Sequence, residues 1–76
     1  MKLPELDRHE SIAFLDRFAG SYRRRGLLIA GLNRDGRPFT IHLEHRSEGM
    51  RRDQLAPALR YLSVAREEFF EWYRSR

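Results

Sequence analysis

A chain of 76 residues is too short for two hydrophobic cores, because a domain of this size buries only about 60% of the surface that its unfolded form exposes. Residues 1–76 are therefore expected to form a single domain. Hydrophobic residues make up 41% of the chain and charged residues 34%, which is the composition of a globular domain and excludes a disordered chain. The net charge of +4 is concentrated in residues 17–52, which carry +6. This asymmetry has two interpretations, an anionic partner or a solvated arginine-rich surface.

The chain has no cysteine, which excludes a disulfide framework and a thiolate metal site and is typical of the reducing cytoplasm. Its start contains Glu5, Asp7 and Glu10, and so lacks the basic residues and apolar run of a signal peptide. No apolar stretch approaches the ~20 residues that span a bilayer. The sequence therefore predicts a cytoplasmic protein without a membrane partner.

The first predicted element is a helix that begins after Asp7. Asp7 and Glu10 have the spacing of a capping box, in which each side chain accepts a hydrogen bond from a free backbone N–H of the first turn. Gly20 is the predicted stop. One apolar face follows from helical spacing, and its members are Ile12, Leu15, Phe18, Ala19 and Tyr22.

A β-hairpin is the clearest local signal. Residues 27–32 and 39–43 flank the sequence Asn-Arg-Asp-Gly at 33–36, which is typical of a type I turn with a glycine bulge. This turn pairs Gly31 with Phe39 and Ile29 with Ile41, and Gly31 leaves room for the Phe39 ring. The predicted core face consists of Leu27, Ile29, Phe39, Ile41 and Leu43. The opposite face is a candidate interface, and its members are Leu28, Ala30, Leu32, Pro38, Thr40 and His42.

Two strands alone are marginally stable. Either residues 21–25 add extended structure, or two chains pair their edges into a wider sheet. Pro38 weakens one edge of the hairpin for pairing, which favours the other edge. A domain of this size also gains stability from self-association, so a homodimer is one expected assembly.

A long second helix follows a polar connection over residues 44–52. Asp53 is its predicted N-cap, and Pro57 is tolerated near a helix start. Its apolar stripe is continuous and consists of Leu55, Leu59, Leu62, Ala65, Phe69, Trp72 and Tyr73. The elements together predict an α+β fold of αββα order, a β-hairpin packed against two amphipathic helices.

Arginines lie before the first predicted strand, after the second strand and before the second helix. Hairpin pairing collects them at the open end of the hairpin, where forked guanidinium donors suit a phosphate backbone or an acidic protein surface. Tyr22 is a neighbouring aromatic that could stack on a base. The predicted binding residues are Arg23, Arg24, Arg25, Arg46, Arg51, Arg52 and Tyr22.

His42, Glu44 and His45 are the residues that suggest metal binding or acid–base catalysis. Side chains alternate along a strand, so His42 and Glu44 share a face and His45 points to the other. We therefore predict neither a metal site nor a cofactor. Either histidine beside the arginines could act as a general base in RNA cleavage, but no residue is assigned as catalytic.

Residues 33–70 resemble the C-terminal half of the HicA, or YcfA-like, toxin family. The resemblance lies in the turn at 35–37, in the helix that reads Gln-Leu-Ala-Pro-Ala-Leu-Arg at 54–60, and in Glu-Glu-Phe at 67–69. It implies a double-stranded-RNA-binding-like fold, mRNA cleavage and a partner antitoxin. The family's catalytic histidine follows a Gly-Ser pair, whereas Gly20 and Ser21 are followed by Tyr22, so the resemblance assigns no catalytic residue.

Three functional hypotheses follow. The first is a small basic regulatory protein that binds nucleic acid through the arginines. The second is an inhibitor or adaptor of the kind that phages and plasmids encode, which binds a protein partner such as a nucleic-acid-processing machine. The third is a HicA-like mRNA-cleaving toxin.

Overall fold

A computed structural model describes residues 2–76 and confirms an α+β fold of three helices and a three-stranded sheet. The antiparallel strand order is β1-β2-β3. The elements are α1 (Arg8–Phe18), β1 (Ala19–Arg25), β2 (Leu28–Asn33), β3 (Pro38–His42), α2 (Arg52–Tyr61) and α3 (Arg66–Ser75). Within the described residues no helix is long and apolar enough to cross a membrane.

Helix α1 begins at the predicted capping box. The Asp7 carboxylate accepts the Glu10 N–H at 2.8 Å, and the Glu10 carboxylate accepts the Asp7 N–H at 3.0 Å. The helix ends at Phe18, and Ala19 is already extended. Gly20 therefore lies one residue inside β1 rather than ending the helix.

Strand β1 pairs with the predicted hairpin and adds a third strand to the sheet. Of the two predicted arrangements, the chain adopts the first, since Ser21 to Arg25 pair with Leu32 to Leu28 of β2. The β1–β2 turn is allowed by Gly26, whose φ of +57° lies in the left-handed region. β1 occupies the edge of β2, so that edge is unavailable for pairing between two chains.

The register of the β2–β3 hairpin is confirmed. Ile29 pairs with Ile41 and Gly31 with Phe39, while Leu43 N–H donates to Leu27 O at 2.7 Å. Gly36 has a φ of +81° in the turn, as a glycine bulge requires. Ile29, Phe39, Ile41 and Leu43 are buried and Leu27 is partly buried, so the predicted core face is correct.

The closest contacts at Gly31 are with the backbone of β1. A Cβ at this position would lie 2.0 Å from the Ser21 carbonyl oxygen and 2.6 Å from the Tyr22 Cα. Glycine is required because the β1 backbone approaches β2 closely. This close approach lies near the bulge between Ala19 and Ser21.

The long second helix is in fact two helices. α2 ends at Tyr61, and α3 begins at Arg66 after a turn in which Ser63 has a φ of +59°, outside the helical region. The apolar stripe is retained across the break, since Leu55, Leu59, Leu62 and Phe69 are buried, whereas Ala65 is exposed. The predicted cap is displaced, because the N-cap is Arg51, whose N–H donates to the Gln54 side chain at 2.8 Å, and Asp53 lies in the first turn.

All three helices contribute to one core beneath the sheet. Phe14, Phe18, Phe69 and Trp72 form a cluster of aromatic rings with centroids 5.3–6.0 Å apart. Phe14, which the predicted helix face omitted, is fully buried. Because the core covers only one face of the sheet, the other face is left open to solvent.

The hairpin turn is fastened to the α2–α3 junction. Asn33 is 5% exposed, its amide Nδ2 donates to Tyr61 O at 2.9 Å, and its Oδ1 accepts the N–H groups of Asp35 and Arg37 at 2.9 Å. Next to it, Arg34 binds both carboxylate oxygens of Glu68 at 2.6 and 2.8 Å and also donates to Ser63 O. One turn thus ends β2, starts β3 and caps the carbonyl end of α2.

Replacing Asn33 with alanine removes this buried amide and leaves the Tyr61 carbonyl and two turn N–H groups without their partner. We expect Asn33→Ala to lower the free energy of unfolding by about 2–3 kcal/mol, since unsatisfied buried polar groups are costly. Urea denaturation measures the change. The control is Asp35→Ala in the same turn, whose exposed side chain should alter stability by less than about 0.5 kcal/mol. Equal losses in both variants would contradict this role of Asn33.

Candidate nucleic-acid interface

The open face of the sheet carries three rows of side chains that run across the strands. The strand register places Arg23 beside Ala30 and Thr40 in one row. The neighbouring row holds Arg25, Leu28 and His42, and the third holds Ser21, Leu32 and Pro38. All nine are exposed except Leu28, which is half-buried. We call these nine residues the open face.

The open face joins two groups that the sequence analysis kept apart. Leu28, Ala30, Leu32, Thr40 and His42, predicted as an interface, lie on it together with Arg23 and Arg25 of the predicted arginine patch. Within residues 2–76, neither of these two guanidinium groups forms an ion pair or a side-chain hydrogen bond. Their charges are therefore available to a partner.

Arg24 lies between them in sequence but on the other side of the sheet. Its guanidinium contacts Glu48 at 3.2 Å, its Nε donates to Gly26 O at 2.7 Å, and Arg8 also contacts Glu48 at 3.4 Å. These contacts tie the β1–β2 turn to the loop before α2 and to the start of α1. Arg24 is thus used inside the domain.

The three later arginines of the predicted patch are also divided. Arg52 donates to Leu3 O, and Arg51 pairs with Asp53 at 3.2 Å, so both contribute to local structure around the start of α2. Arg46 lies in the turn after β3 and has no side-chain partner among residues 2–76. Since Leu43 pairs with Leu27, this turn lies at the same end of the sheet as Arg25. Three of the six predicted arginines, Arg23, Arg25 and Arg46, therefore have uncommitted charges.

Tyr22 is not placed to stack on a base at the open face. It alternates with Arg23 and faces α1, where its hydroxyl donates to Asp16. Desolvation by burial, together with the hydrogen bond to Asp16 and the charge of Asp16, raises the pKa of the Tyr22 phenol to about 12. We therefore leave Tyr22 out of the proposed binding surface.

Tyr61 is the aromatic residue that the sequence analysis missed. It is 49% exposed and lines a groove along β3 with Pro38, Thr40 and His42, next to the open face. Its position outside the apolar stripe of α2 was the available signal, because an aromatic residue out of phase with a core stripe lies at the surface.

His42, Glu44 and His45 do not form a joint site. The Glu44 carboxylate accepts the N–H groups of Ser47 and Arg46 at 3.0 and 2.7 Å, and these hydrogen bonds lower the pKa of Glu44. His42 lies on the open face, and His45 is exposed in the turn that Glu44 organises. Residues 2–76 contain no cluster of three or more histidine, aspartate or glutamate side chains placed to hold a metal ion.

The chain matches no protein-family model, and searches of the curated proteins and of the solved structures found no match. The interpretation of the open face therefore depends on its own geometry and charge.

The raised pKa of Tyr22 predicts how the stability of the protein changes at high pH. A tyrosine whose pKa is raised on folding stabilises the native state fully below pH 10, and this contribution is lost as the pH rises from 10 to about 12. We expect ultraviolet titration to show one tyrosine that ionises near pH 12, and Tyr22→Phe to abolish that step and flatten the loss of stability in this range. If Tyr22→Phe left the high-pH step in place, the assignment to Tyr22 would be wrong.

Proposed function

We propose that the protein binds single-stranded nucleic acid across the open face of its sheet. The observation that carries the proposal is the presence of two unpaired arginines, Arg23 and Arg25, beside small and apolar side chains on a sheet face that no helix covers. Guanidinium groups bind phosphate through forked donors, and the neutralised backbone releases condensed counterions. Both arginines lie on β1, so the charge follows one side of the open face and the small and apolar side chains of β2 lie next to it.

The dimensions of the open face favour a single strand over a duplex. β1 and β3 are two strand spacings apart, which is about 10 Å. A single strand of nucleic acid whose phosphates lie along Arg23 and Arg25 can therefore direct its bases across the sheet, toward Ala30, Leu28 and Thr40. Tyr61 lies beyond β3 and offers a ring for stacking, an interaction that tolerates any base sequence. A duplex shields its bases and would use only the arginines.

Charge reversal of the two face arginines tests the proposal. We expect Arg23→Glu with Arg25→Glu to weaken binding of a fluorescently labelled single-stranded oligonucleotide by roughly tenfold or more, measured by anisotropy. The magnitude of the slope of log affinity against log salt concentration should decrease by about 1.4, because two phosphate contacts are lost and each contact to a single strand contributes about 0.7. Measurements with RNA, DNA and duplex forms of one sequence determine which the surface prefers.

The matched control reverses two arginines elsewhere. Arg60 and Arg74 are exposed on α2 and α3, and within residues 2–76 neither forms an ion pair. Arg60→Glu with Arg74→Glu changes the net charge by the same amount away from the open face. Equal losses in the two double variants would mean that overall charge, and not the open face, drives binding, and would overturn the proposal.

A second candidate function is supported by the exposed apolar surface. Leu32 is 44% exposed, and with Leu28 it gives the open face a hydrophobic centre of the kind found in protein–protein interfaces. An inhibitor or adaptor would place this centre and the two arginines against an acidic protein surface. Affinity purification at low salt distinguishes the two functions. A stoichiometric protein partner that remains after nuclease treatment, and that Leu32→Lys no longer binds, favours the inhibitor or adaptor. Nucleic acid that dissociates at high salt favours the nucleic-acid-binding function.

A further inference from the structure

The edge of β3 that does not pair with β2 presents backbone donors and acceptors at some positions and only an acceptor at another. In the β2–β3 ladder, Leu43 N–H donates to Leu27 O and Asn33 N–H donates to Arg37 O, so the odd-numbered residues of β3 face β2. The N–H and C=O groups of Thr40 and His42 therefore point outward. Pro38 also points outward, but it offers only a carbonyl because proline has no N–H. The His42 carbonyl already accepts a hydrogen bond from the Gln54 amide at 2.9 Å.

We propose that two copies of this chain pair antiparallel through their β3 edges, with the two-fold axis at Thr40. In this register Thr40 of each copy lies opposite Thr40 of the other and the two exchange two hydrogen bonds. His42 then lies opposite Pro38 of the second copy, so the His42 N–H donates to the Pro38 carbonyl. The His42 carbonyl lies opposite the Pro38 nitrogen of the second copy, which has no hydrogen to donate. The Gln54 side-chain amide of its own chain already donates a hydrogen bond to this carbonyl. Each outward backbone group from Pro38 to His42 thus has a partner.

Charge favours the β3 edge over the other edge of the sheet. β3 has the sequence Pro-Phe-Thr-Ile-His and contains no lysine, arginine, aspartate or glutamate. The outer edge of β1 carries Arg23, Arg24 and Arg25 in succession, and antiparallel pairing of two such edges would bring like charges together. A second copy is therefore favoured at β3 and opposed at β1.

The apolar surface beside β3 is continuous with the proposed contact. Tyr61 and Pro57 of α2 line the groove along β3 with Thr40, and Tyr61 is one of the two large hydrophobic residues that are exposed in residues 2–76. α2 lies next to β3, so edge pairing would bring the α2 helices of the two copies together and cover this surface. Small domains commonly gain stability from association of this kind.

Pairing would make one six-stranded sheet in the order β1-β2-β3-β3-β2-β1. The open faces would become continuous, and the arginines would lie on the two outermost strands, five strand spacings or about 24 Å apart. Pairing does not require nucleic acid, because the backbone contact uses the edge of the sheet. It would cover Tyr61, so in the paired state a nucleic acid would contact the open face and not the Tyr61 ring.

Complementary charges at position 40 test the proposed two-fold axis. The wild-type protein should sediment at twice the 9.1 kDa mass of one chain, in high salt and after nuclease treatment so that nucleic acid cannot bridge two copies. Thr40→Lys and Thr40→Glu each place like charges directly opposite one another, so each variant alone should be monomeric. An equimolar mixture should form a heterodimer, because the opposite charges now face each other.

Ser21→Lys and Ser21→Glu are the matched controls, since Ser21 is exposed on the open face but lies in β1. Both should remain dimeric. Circular dichroism checks that the position 40 variants are folded, which the exposed location of Thr40 favours. Thr40→Ser, which introduces no charge, should stay dimeric. A wild-type chain that is monomeric at millimolar concentration, or Lys and Glu variants that dimerise alone as well as the wild type, would overturn the proposal.

Discussion

The hydrogen bonds of Asn33 join the sheet to the helices, and the rest of the fold depends on that connection. Its buried amide serves the hairpin turn through Oδ1 and the end of α2 through Nδ2, so the turn and the helix terminus are fixed by one side chain. The bidentate contact of Arg34 with Glu68, which also lowers the pKa of Glu68, holds the start of α3 in the same place. Because the helices are held beneath one side of the sheet, its other side remains uncovered. The junction therefore holds the helices and the core on the side of the sheet opposite the open face.

The division of the arginines follows from strand geometry. Three consecutive arginines in an extended segment cannot point in one direction, since alternate residues of a strand face opposite sides. Arg24 therefore turns toward Glu48 and is used to hold the loop before α2, while Arg23 and Arg25 project into solvent. Counting the six arginines as a single patch overstates the uncommitted charge, because Arg51 and Arg52 also have partners within the chain. The uncommitted charge on the open face is that of Arg23 and Arg25.

The elements that were predictable are those whose signal is local. The capping box at Asp7 and the Asn33–Gly36 turn determine their own hydrogen bonds, and the turn sets the register of β2 and β3 through Leu43. β1 gave only a weak signal, because Arg23 to Arg25 show no apolar alternation and the strand exists only through pairing with β2. The break at Ser63 could not be predicted, because the apolar stripe continues across it. The contacts of Arg34 join residues far apart in the sequence, so no local pattern indicates them.

The two edges of the sheet differ in a way that connects the proposed functions. An exposed strand edge invites association, and proteins oppose this with charge, proline or a covering element. β1 has three arginines, which oppose self-pairing of this edge, and in the proposed function two of them, Arg23 and Arg25, also bind phosphate on the open face. On β3, Pro38 offers no N–H, and the Gln54 amide already donates to the His42 carbonyl, which is the group that would face Pro38 of a two-fold partner. The backbone groups of Thr40 remain available for pairing. A sheet that repels copies at one edge and accepts a copy at the other gives a closed pair rather than an extending fibre, because pairing of two β3 edges leaves only β1 edges exposed.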